Sequence, residues 1–510
     1  MSEVKSGAVL AYANVAVSNV VALLYTPFVI RVLGQNEYGV YRLSDSVISA
    51  LLILNFGFGV AYVRFYTRLR VKNDSQGISN LNGMYLIIFC FMGLLACVGG
   101  GLIVFFAEGL FGGGLSPAEI VLAKRLMVLM TINVAMTFPS SVFSSYLLVH
   151  ERFKALYGIA ICMRLGGTIL GIVLLLFGFG AFGATLATTI STFMSLTWTA
   201  FFAKRLGMEF QFFPFRFHLL REIASFSFWV FLSLLFNIFS DNAPNFILAS
   251  RSSSADVALF SVAFLFRHLF FSVSTALSNV FTPRVNFMVA KDASNDSLLS
   301  LMMRVGRYQL MVHFLLLGGF IITGRFFITM WAGEEFSSTY QMVILLAAIT
   351  TIPLVQNVGI AIQQAKNRHK FRSIVYLISA LLGAMVCWML APHMGALGAT
   401  VGYCVIMVLG PCLAMNWYYH ARMGLNMVKF WSSMWKTLLV ALVCTGVFLW
   451  ICETIIDINS LSLFAVVGLV FTACYSWATW RITMQGEERK QVKDLLRRTS
   501  DQMRRQSDEN

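Results

Sequence analysis

The residues best suited to chemistry in this sequence are charged side chains inside long apolar segments. Arg164 lies well inside the apolar run 155–177, and Arg267 lies equally deep in the run 256–283. If these runs cross a membrane, a central charge costs about 2.5–3.5 kcal/mol on insertion scales, so it is expected to face a cavity or a partner. An arginine stays charged and binds two phosphate oxygens at once. We therefore predict that both residues bind an anionic headgroup.

Three further ionisable residues extend this set. Arg64 ends the second apolar run, and Arg31 lies near the outer end of the first, where membrane orientation requires no positive charge. Asp241 lies in the seventh run, and a lone carboxylate at membrane depth is the type of group that binds H⁺ or Na⁺ in cation-coupled carriers. Two alternatives remain open: Asp241 and Arg267 neutralise each other, or Arg64 is an ordinary inner-face anchor. The predicted substrate-binding cations are Arg31, Arg64, Arg164 and Arg267, with Asp241 as the ion-coupling candidate.

The composition indicates that lipid covers most of the chain. Of the 510 residues, 58% are hydrophobic and only 12% are charged, whereas soluble domains average about 45–50% and about 25%. Apolar runs of about 20 residues, long enough to cross a bilayer, recur throughout. The sequence predicts an all-α polytopic membrane protein with about fourteen transmembrane helices. The predicted helices are 8–30, 44–63, 83–107, 121–148, 155–177, 181–203, 223–249, 256–283, 308–330, 339–364, 371–392, 396–419, 432–452 and 460–480.

The charge distribution predicts the orientation. The formal net charge is +15, and lysines and arginines fill alternate loops, whereas the intervening short loops carry mainly Glu and Asp. Because basic residues collect in cytoplasmic loops, we expect a multi-pass protein of the bacterial inner membrane with both termini in the cytoplasm. The positive charge is spread over seven separate segments, which argues against nucleic acid as a partner.

The sequence repeats itself. The string GAFGAT at 180–185 returns as GALGAT at 395–400, and residues 38–41 are echoed by residues 257–260 at a similar shift. These repeats predict two pseudo-symmetric six-helix lobes of the same orientation, related by an axis along the membrane normal. The predicted parts are an N-terminal lobe at 1–205, an interfacial linker at 206–222, a C-terminal lobe at 223–421, two additional helices at 422–482 and a cytoplasmic amphipathic tail at 483–510.

Motifs for common enzyme mechanisms are missing from the sequence. It contains no G-x-x-x-x-G-K-[ST], H-E-x-x-H or G-x-S-x-G string. Residues 178–183 match G-x-G-x-x-G, but apolar helices flank them where a dinucleotide site needs a strand. The nine cysteines include no C-x-x-C pair. We therefore predict no catalytic residues, no cofactor and no metal site.

A family resemblance rests on several of these strings. The stretch PFVIRVLGQNEYGVY at 27–41, followed by NFGFG at 55–59 and Arg64, resembles the opening of the polysaccharide-export flippases. These are the Wzx-type O-antigen and capsule members of the MOP superfamily, which also holds the MATE exporters and the lipid II flippases. FSDN at 239–242 and both Gly-Ala-x-Gly-Ala-Thr turns are also similar to this family. The chain departs from it at Ala258 and Phe260, where Gly and Tyr are more usual, and fourteen helices resemble the lipid II branch more closely.

The resemblance implies a flippase that moves an undecaprenyl-pyrophosphate-linked oligosaccharide from the cytoplasmic to the periplasmic leaflet by alternating access, coupled to an H⁺ or Na⁺ gradient. It places Arg31 and Arg64 on family-like motifs. Expected partners are this lipid-linked substrate, membrane lipids, and the polysaccharide polymerase and chain-length machinery. Two other transporters remain open: a MATE-type cation-coupled drug exporter and a lipid II flippase. The drug exporter predicts an acid-rich cavity, because its substrates are mostly cationic.

Overall fold

The computed structural model describes residues 2–56, 58–213, 217–366, 368, 370–484, 486 and 489. Over these ranges the chain forms α-helices joined by short turns, with no β-strand. The helices are α1 (Ser2–Ser49), α2 (Phe58–Val71), α3 (Ser75–Phe105), α4 (Ala107–Phe111), α5 (Pro117–Val149), α6 (Phe153–Leu176), α7 (Gly180–Arg205), α8 (Phe217–Arg251), α9 (Ser254–Asn279), α10 (Thr282–Ala290), α11 (Asn295–Ala332), α12 (Thr339–Val355), α13 (Asn357–Ala365), α14 (Lys370–Met394), α15 (Ala396–Met407), α16 (Met415–Ala421), α17 (Met427–Thr454) and α18 (Leu461–Ala478). Ala50–Asn55 and Glu334–Phe336 are 3₁₀ turns, and Val408–Ala414 and Thr479–Thr483 are π-helical.

The predicted fold class is confirmed. Within the described ranges, 12 helical segments are long and apolar enough to cross a membrane. The count of fourteen is not confirmed. The predicted helices 8–30 and 44–63 fall largely in one helical run, Val9–Asn55, and the predicted helix 223–249 lies within α8, which is 35 residues long but is not among the twelve.

The long first run is interrupted at Gly34. This residue has φ 75° and ψ 172°, which separates two helical parts within α1. A left-handed φ is readily adopted only by glycine, because a Cβ atom would strain the backbone there. The chain therefore changes direction between the first two predicted spans without leaving a loop.

The helices form two compact units that alternate along the chain. The first unit contains residues 1–264 and 370–406. Within it, α5 packs against α1, α3 and α7, while α6 packs against α1 and α7. Helix α8 packs against α1 and α14. This arrangement brings α1, α5, α6 and α7 around one another, and these four helices position the site described below.

The second unit contains residues 265–369 and 407–510. Its long helix α11 packs against α12, α17 and α18. Ile322 of α11 lies in an apolar cluster with Ala441 of α17 and Phe471 of α18, and the Tyr475 hydroxyl donates to the Met311 carbonyl oxygen at 3.0 Å. The last two helices are therefore integral to the core of this unit.

The predicted linker and tail are described in part. Before Pro214, the linker runs along α3, where the Gln211 N–H donates to the Ser79 carbonyl oxygen at 2.9 Å. Helix α8 begins at Phe217, inside the predicted linker. Residues 214–216 and nearly all of the predicted tail 483–510 lie outside the described residues. The division into lobes 1–205 and 223–421 with additional helices at 422–482 stays a prediction.

Candidate functional site

A polar cavity lies among α1, α5, α6 and α7 in the first unit, and Arg164 is the charged residue that lines it. Its volume is about 470 Å³. The lining residues are Tyr25, Thr137, Ser140, Ala160, Met163, Arg164, Gly167, Thr168, Thr188, Ser191, Thr192 and Ser195. No carboxylate is among them. The cavity therefore combines one fixed positive charge with many neutral hydrogen-bonding groups.

Arg164 lies deep along its helix. It is roughly 16 Å from the start of α6 and roughly 18 Å from its end, at 1.5 Å per residue. The side chain is exposed to the cavity, and Nη1 donates to the hydroxyl of Ser18 on α1. A neutral hydroxyl orients the guanidinium but leaves its charge uncompensated. The remaining N–H groups form a planar fork suited to an oxyanion.

The hydroxyl groups come mainly from α5 and α7. Thr188, Ser191, Thr192 and Ser195 follow the i, i+3, i+4, i+7 spacing that places side chains on one helix face. The Thr192 hydroxyl donates to Asn133 Oδ1 at 3.1 Å, and the Ser191 hydroxyl donates to the Ala187 carbonyl oxygen at 2.8 Å. Hydroxyls that donate to their own helix retain lone pairs for a ligand. The sequence-based prediction considered charges alone and missed this face, although its spacing was readable.

Small residues on α6 let the neighbouring helices approach closely. A Cβ atom at Gly167 would collide with the Ser191 side chain, and one at Gly171 would collide with the Tyr25 hydroxyl. On α5, Pro139 lies between two lining residues and removes a backbone donor, which frees a carbonyl oxygen one turn earlier. The lining of the cavity thus takes its polar character from side chains, which the small residues of α6 allow to lie close together.

The other predicted site residues lie elsewhere. Arg31 is exposed near the end of the first part of α1, and Arg64 is exposed on α2. Neither lines the cavity of Arg164. Arg267 is buried in the second unit, where its guanidinium carbon lies 5.2 Å from the ring centroid of Phe271. Of the four predicted cations, the structure thus places Arg164 alone in this cavity, and the roles of the others stay predictions.

Asp241 is half-buried on α8 in the first unit. It lies one helical turn before Asn245, whose side-chain nitrogen donates to the Ser46 hydroxyl at 2.7 Å. The Ser261 hydroxyl donates to the amide oxygen of Asn245 at 3.3 Å. Because residues i and i+4 share a helix face, Asp241 lies on the side of α8 that forms this polar contact.

The same contact between a carboxylate and a helix N-terminus occurs once in each sequence repeat. Glu37 Oε1 accepts the Ala181 N–H at 2.7 Å, and Asp256 Oδ1 accepts the Ala396 N–H at 2.9 Å. Gly180 and Gly395, the residues just before these donors, have left-handed φ values of 56° and 53°. Each carboxylate therefore caps the N-terminus of a helix, α7 or α15, where unsatisfied N–H groups and the helix dipole favour negative charge.

The two carboxylates were not among the predicted site residues, although the repeats pointed to them. Glu37 directly precedes the repeated string 38–41, and Asp256 directly precedes 257–260. The same region brings the two repeats together. A Cβ atom at Gly39 would collide with the backbone carbonyl of Ser254, and the Ser254 hydroxyl bonds the Glu119 carboxylate. These residues form the junction at one end of the first unit.

Ion pairs among the described residues lie away from the cavity. Arg68 Nη1 lies 2.7 Å from Glu222 Oε1, and Lys124 Nζ lies 2.5 Å from Glu108 Oε1. The hydrogen bond and positive charge of Lys124 lower the pKa of Glu108 below its ordinary value of 4.5. In the described part of the chain, no group of three or more His, Cys, Asp or Glu side chains is placed to hold a metal ion.

Residues 4–285 match the family model described as "Polysaccharide biosynthesis protein". The chain belongs to this polysaccharide biosynthesis family. It is 20% identical over 495 residues to the uncharacterized membrane protein EpsK of Bacillus subtilis (strain 168). The aligned region covers 93% of this chain and 94% of EpsK. The predicted resemblance to a family of polysaccharide synthesis is thereby confirmed.

Solved structures show that the fold is that of transporters. A lipid II flippase MurJ in an inward closed conformation matches with a TM-score of 0.71 and 13% identity, covering 93% of this chain and 98% of MurJ. An inward-facing multidrug resistance MATE family transporter of the MOP superfamily matches with a TM-score of 0.65 and 17% identity, covering 81% of this chain and 95% of the transporter. The structural relatives are thus transporters and flippases and not enzymes.

Proposed function

We propose that this protein is a flippase for an undecaprenyl-pyrophosphate-linked oligosaccharide. It moves this lipid from the cytoplasmic to the periplasmic leaflet during the synthesis of a surface polysaccharide, such as O-antigen, capsule or exopolysaccharide. Membership of the polysaccharide biosynthesis family supports this class of substrate. The observation that carries the proposal is the position of Arg164, deep along α6 in a cavity lined by hydroxyl groups.

The chemistry of the cavity suits both parts of such a headgroup. The guanidinium of Arg164 binds phosphate oxygens through paired, charge-assisted hydrogen bonds. Serine, threonine and tyrosine hydroxyls both donate and accept, as sugar hydroxyls do. Neutral groups of this kind bind a glycan without holding it as tightly as opposite charges would, which allows release after transport.

The lining composition favours this substrate over a cationic drug. A MATE-type exporter of cations needs carboxylates in its cavity, and no carboxylate lines this one. The lipid II flippase alternative fits better, because lipid II also carries a pyrophosphate and sugars and MurJ shares the fold. The family match favours a polysaccharide precursor, and a direct comparison of the two lipids separates these candidates.

The proposal includes alternating access driven by an H⁺ or Na⁺ gradient, with Asp241 as the ion-binding group. Asp241 lies on the face of α8 whose residue Asn245 bonds Ser46 of α1. Protonation or ion binding there would change the charge beside a contact between the two sequence repeats. We also propose an inner-membrane location with cytoplasmic termini and contacts with the polymerase and chain-length machinery, as the loop charges and the family suggest.

Arg164→Ala tests the proposal. In the native host lacking its own copy, this variant should abolish surface polysaccharide while its amount in the membrane stays at the wild-type level. Arg164→Lys should restore part of the activity, because lysine keeps the charge but loses the planar fork. Arg125→Ala is the matched control, since Arg125 is an exposed cation on α5 outside the cavity.

Two results would contradict the proposal. Wild-type glycan levels with Arg164→Ala would show that this cation does not bind the substrate. Purified protein in proteoliposomes should also translocate a fluorescent undecaprenyl-pyrophosphate oligosaccharide faster than lipid II. Faster transport of lipid II would assign the protein to the alternative substrate.

A further inference from the structure

A second cavity, in the second unit, has a lining with charges of both signs. Its volume is about 630 Å³, and it lies between α11, α12, α17 and the segment that leads to α18. Arg325 contributes a positive charge, and Glu334, Glu453 and Asp457 contribute three negative charges. Ile321, Ile322, Phe326, Leu449 and Ile458 supply apolar surface.

These charges are ordered by depth along the helices. Glu334 follows the end of α11, Glu453 is the second-to-last residue of α17, and Asp457 lies beyond α17. Arg325 lies roughly 10 Å below the end of α11, and Ile321 roughly 16 Å below it, at 1.5 Å per residue. Along α11 and the turn that follows it, the lining is therefore acidic at the end, then cationic, then apolar.

None of the four charged side chains has an ion-pair partner within the described ranges. The Tyr340 hydroxyl is already engaged, since it donates to the Ile321 carbonyl oxygen at 2.6 Å. The three carboxylates are not clustered closely enough to hold a metal ion. The arrangement therefore suits a ligand that brings its own charges, spaced as the lining is.

We propose that this cavity binds the headgroup of an aminophospholipid, with phosphatidylethanolamine as the probe. Its ammonium lies at the acidic rim, its phosphate reaches Arg325, and its acyl chains follow Ile321 and Leu449. A zwitterionic lipid has this same order of ammonium, phosphate and hydrocarbon. An anionic lipid without an amine would place no positive charge at the three carboxylates. This site shares no lining residue with the Arg164 cavity and does not depend on the proposed transport function.

Native mass spectrometry of the delipidated, full-length protein tests this site. Phosphatidylethanolamine should bind about fivefold more tightly than phosphatidylglycerol of the same acyl chains, which is the modest gain expected from partly exposed charge pairs. The double variant Glu453→Gln with Asp457→Asn should lose this preference. Arg325→Gln should weaken the binding of both lipids. Glu108→Gln, which changes an exposed acid of the first unit, should behave as wild type.

Several outcomes would overturn the site. Equal binding of the two lipids by the wild-type protein would refute the proposed site, and this comparison needs no variant that could fold poorly. A preference for phosphatidylethanolamine that survives in the double variant would also refute it. Glycerophosphoethanolamine, which lacks acyl chains, should fail to displace the lipid at a hundredfold excess. Displacement by this soluble compound would show a small-molecule site instead of a lipid site.

Discussion

Removal of either helix-capping carboxylate, Glu37 or Asp256, should destabilise the protein, and the loss should increase with the number of hydrogen bonds that the carboxylate accepts. Glu37→Ala removes the acceptor of the Ala181 N–H, which lies 2.7 Å from Oε1. Asp256→Ala removes the acceptor of the Ala396 N–H at 2.9 Å and also the acceptor of the Ser252 and Ser253 hydroxyls at 2.5 and 2.8 Å. We therefore expect the second substitution to cost more.

The magnitudes follow from the partners that are lost. A hydrogen bond to a charged group contributes about 1.5–3 kcal/mol, and a helix N-cap contributes about 1 kcal/mol. Because Glu37 is half-buried, we expect about 2 kcal/mol for Glu37→Ala. Glu37→Gln keeps an acceptor oxygen but loses the charge, for which we expect about 1 kcal/mol. Asp256→Ala, which also removes the acceptor of two hydroxyl donors, should cost about 3 kcal/mol.

Reversible unfolding in mixed micelles with increasing dodecyl sulfate measures these differences, with fluorescence of the ten tryptophans as the signal. Glu108→Ala is the control, because its carboxylate is exposed and pairs with Lys124, and exposed pairs contribute little to stability. If Glu37→Ala and Asp256→Ala both unfold at the wild-type detergent fraction, the carboxylates do not cap these helices in the folded protein.

Two further predictions concern glycines and an ion pair. Gly39→Ala should lower the free energy of unfolding by at least about 3 kcal/mol, because its Cβ would collide with the Ser254 backbone carbonyl. Gly34→Ala should cost about 1–3 kcal/mol, because its φ of 75° with ψ of 172° lies in a region that essentially only glycine adopts. Detergent unfolding of both variants checks these values. Lys124→Gln should raise the pKa of Glu108 back toward 4.5, as carboxyl NMR titration would show. Since that pKa is depressed, the small stabilisation by this pair is present above the unfolded pKa and is lost as the pH falls through the folded pKa.

Of the groups that line the candidate site, only the cation was predicted from the sequence. Arg164 was identified from its depth in an apolar run, and the structure places it in a polar cavity. The serine and threonine face of α7 was also readable from its helical spacing. Hydroxyl residues are common in membrane helices, so they indicate a binding site less specifically than a buried charge does. The contact between Arg164 and Ser18 of α1 was not readable, because these residues lie 146 positions apart.

The sequence by itself determined the class of this protein and its local elements. Apolar runs of membrane-spanning length specify helices, because a backbone in lipid must satisfy its hydrogen bonds within the segment. The repeated Gly-Ala-x-Gly-Ala-Thr strings specify two matching turns at Gly180 and Gly395. These features depend on neighbours in the chain, so composition and spacing are sufficient to find them.

The tertiary structure alone decided which distant groups meet. Glu37 reaches the Ala181 N–H across 144 positions, and Asp256 reaches the Ala396 N–H across 140. It also merged two predicted spans into one run bent at Gly34. Such contacts depend on how helices pack side by side. Side-chain volume and small residues at the contacts control this packing. The spacing of residues within one helix does not reveal which distant helix will pack against it.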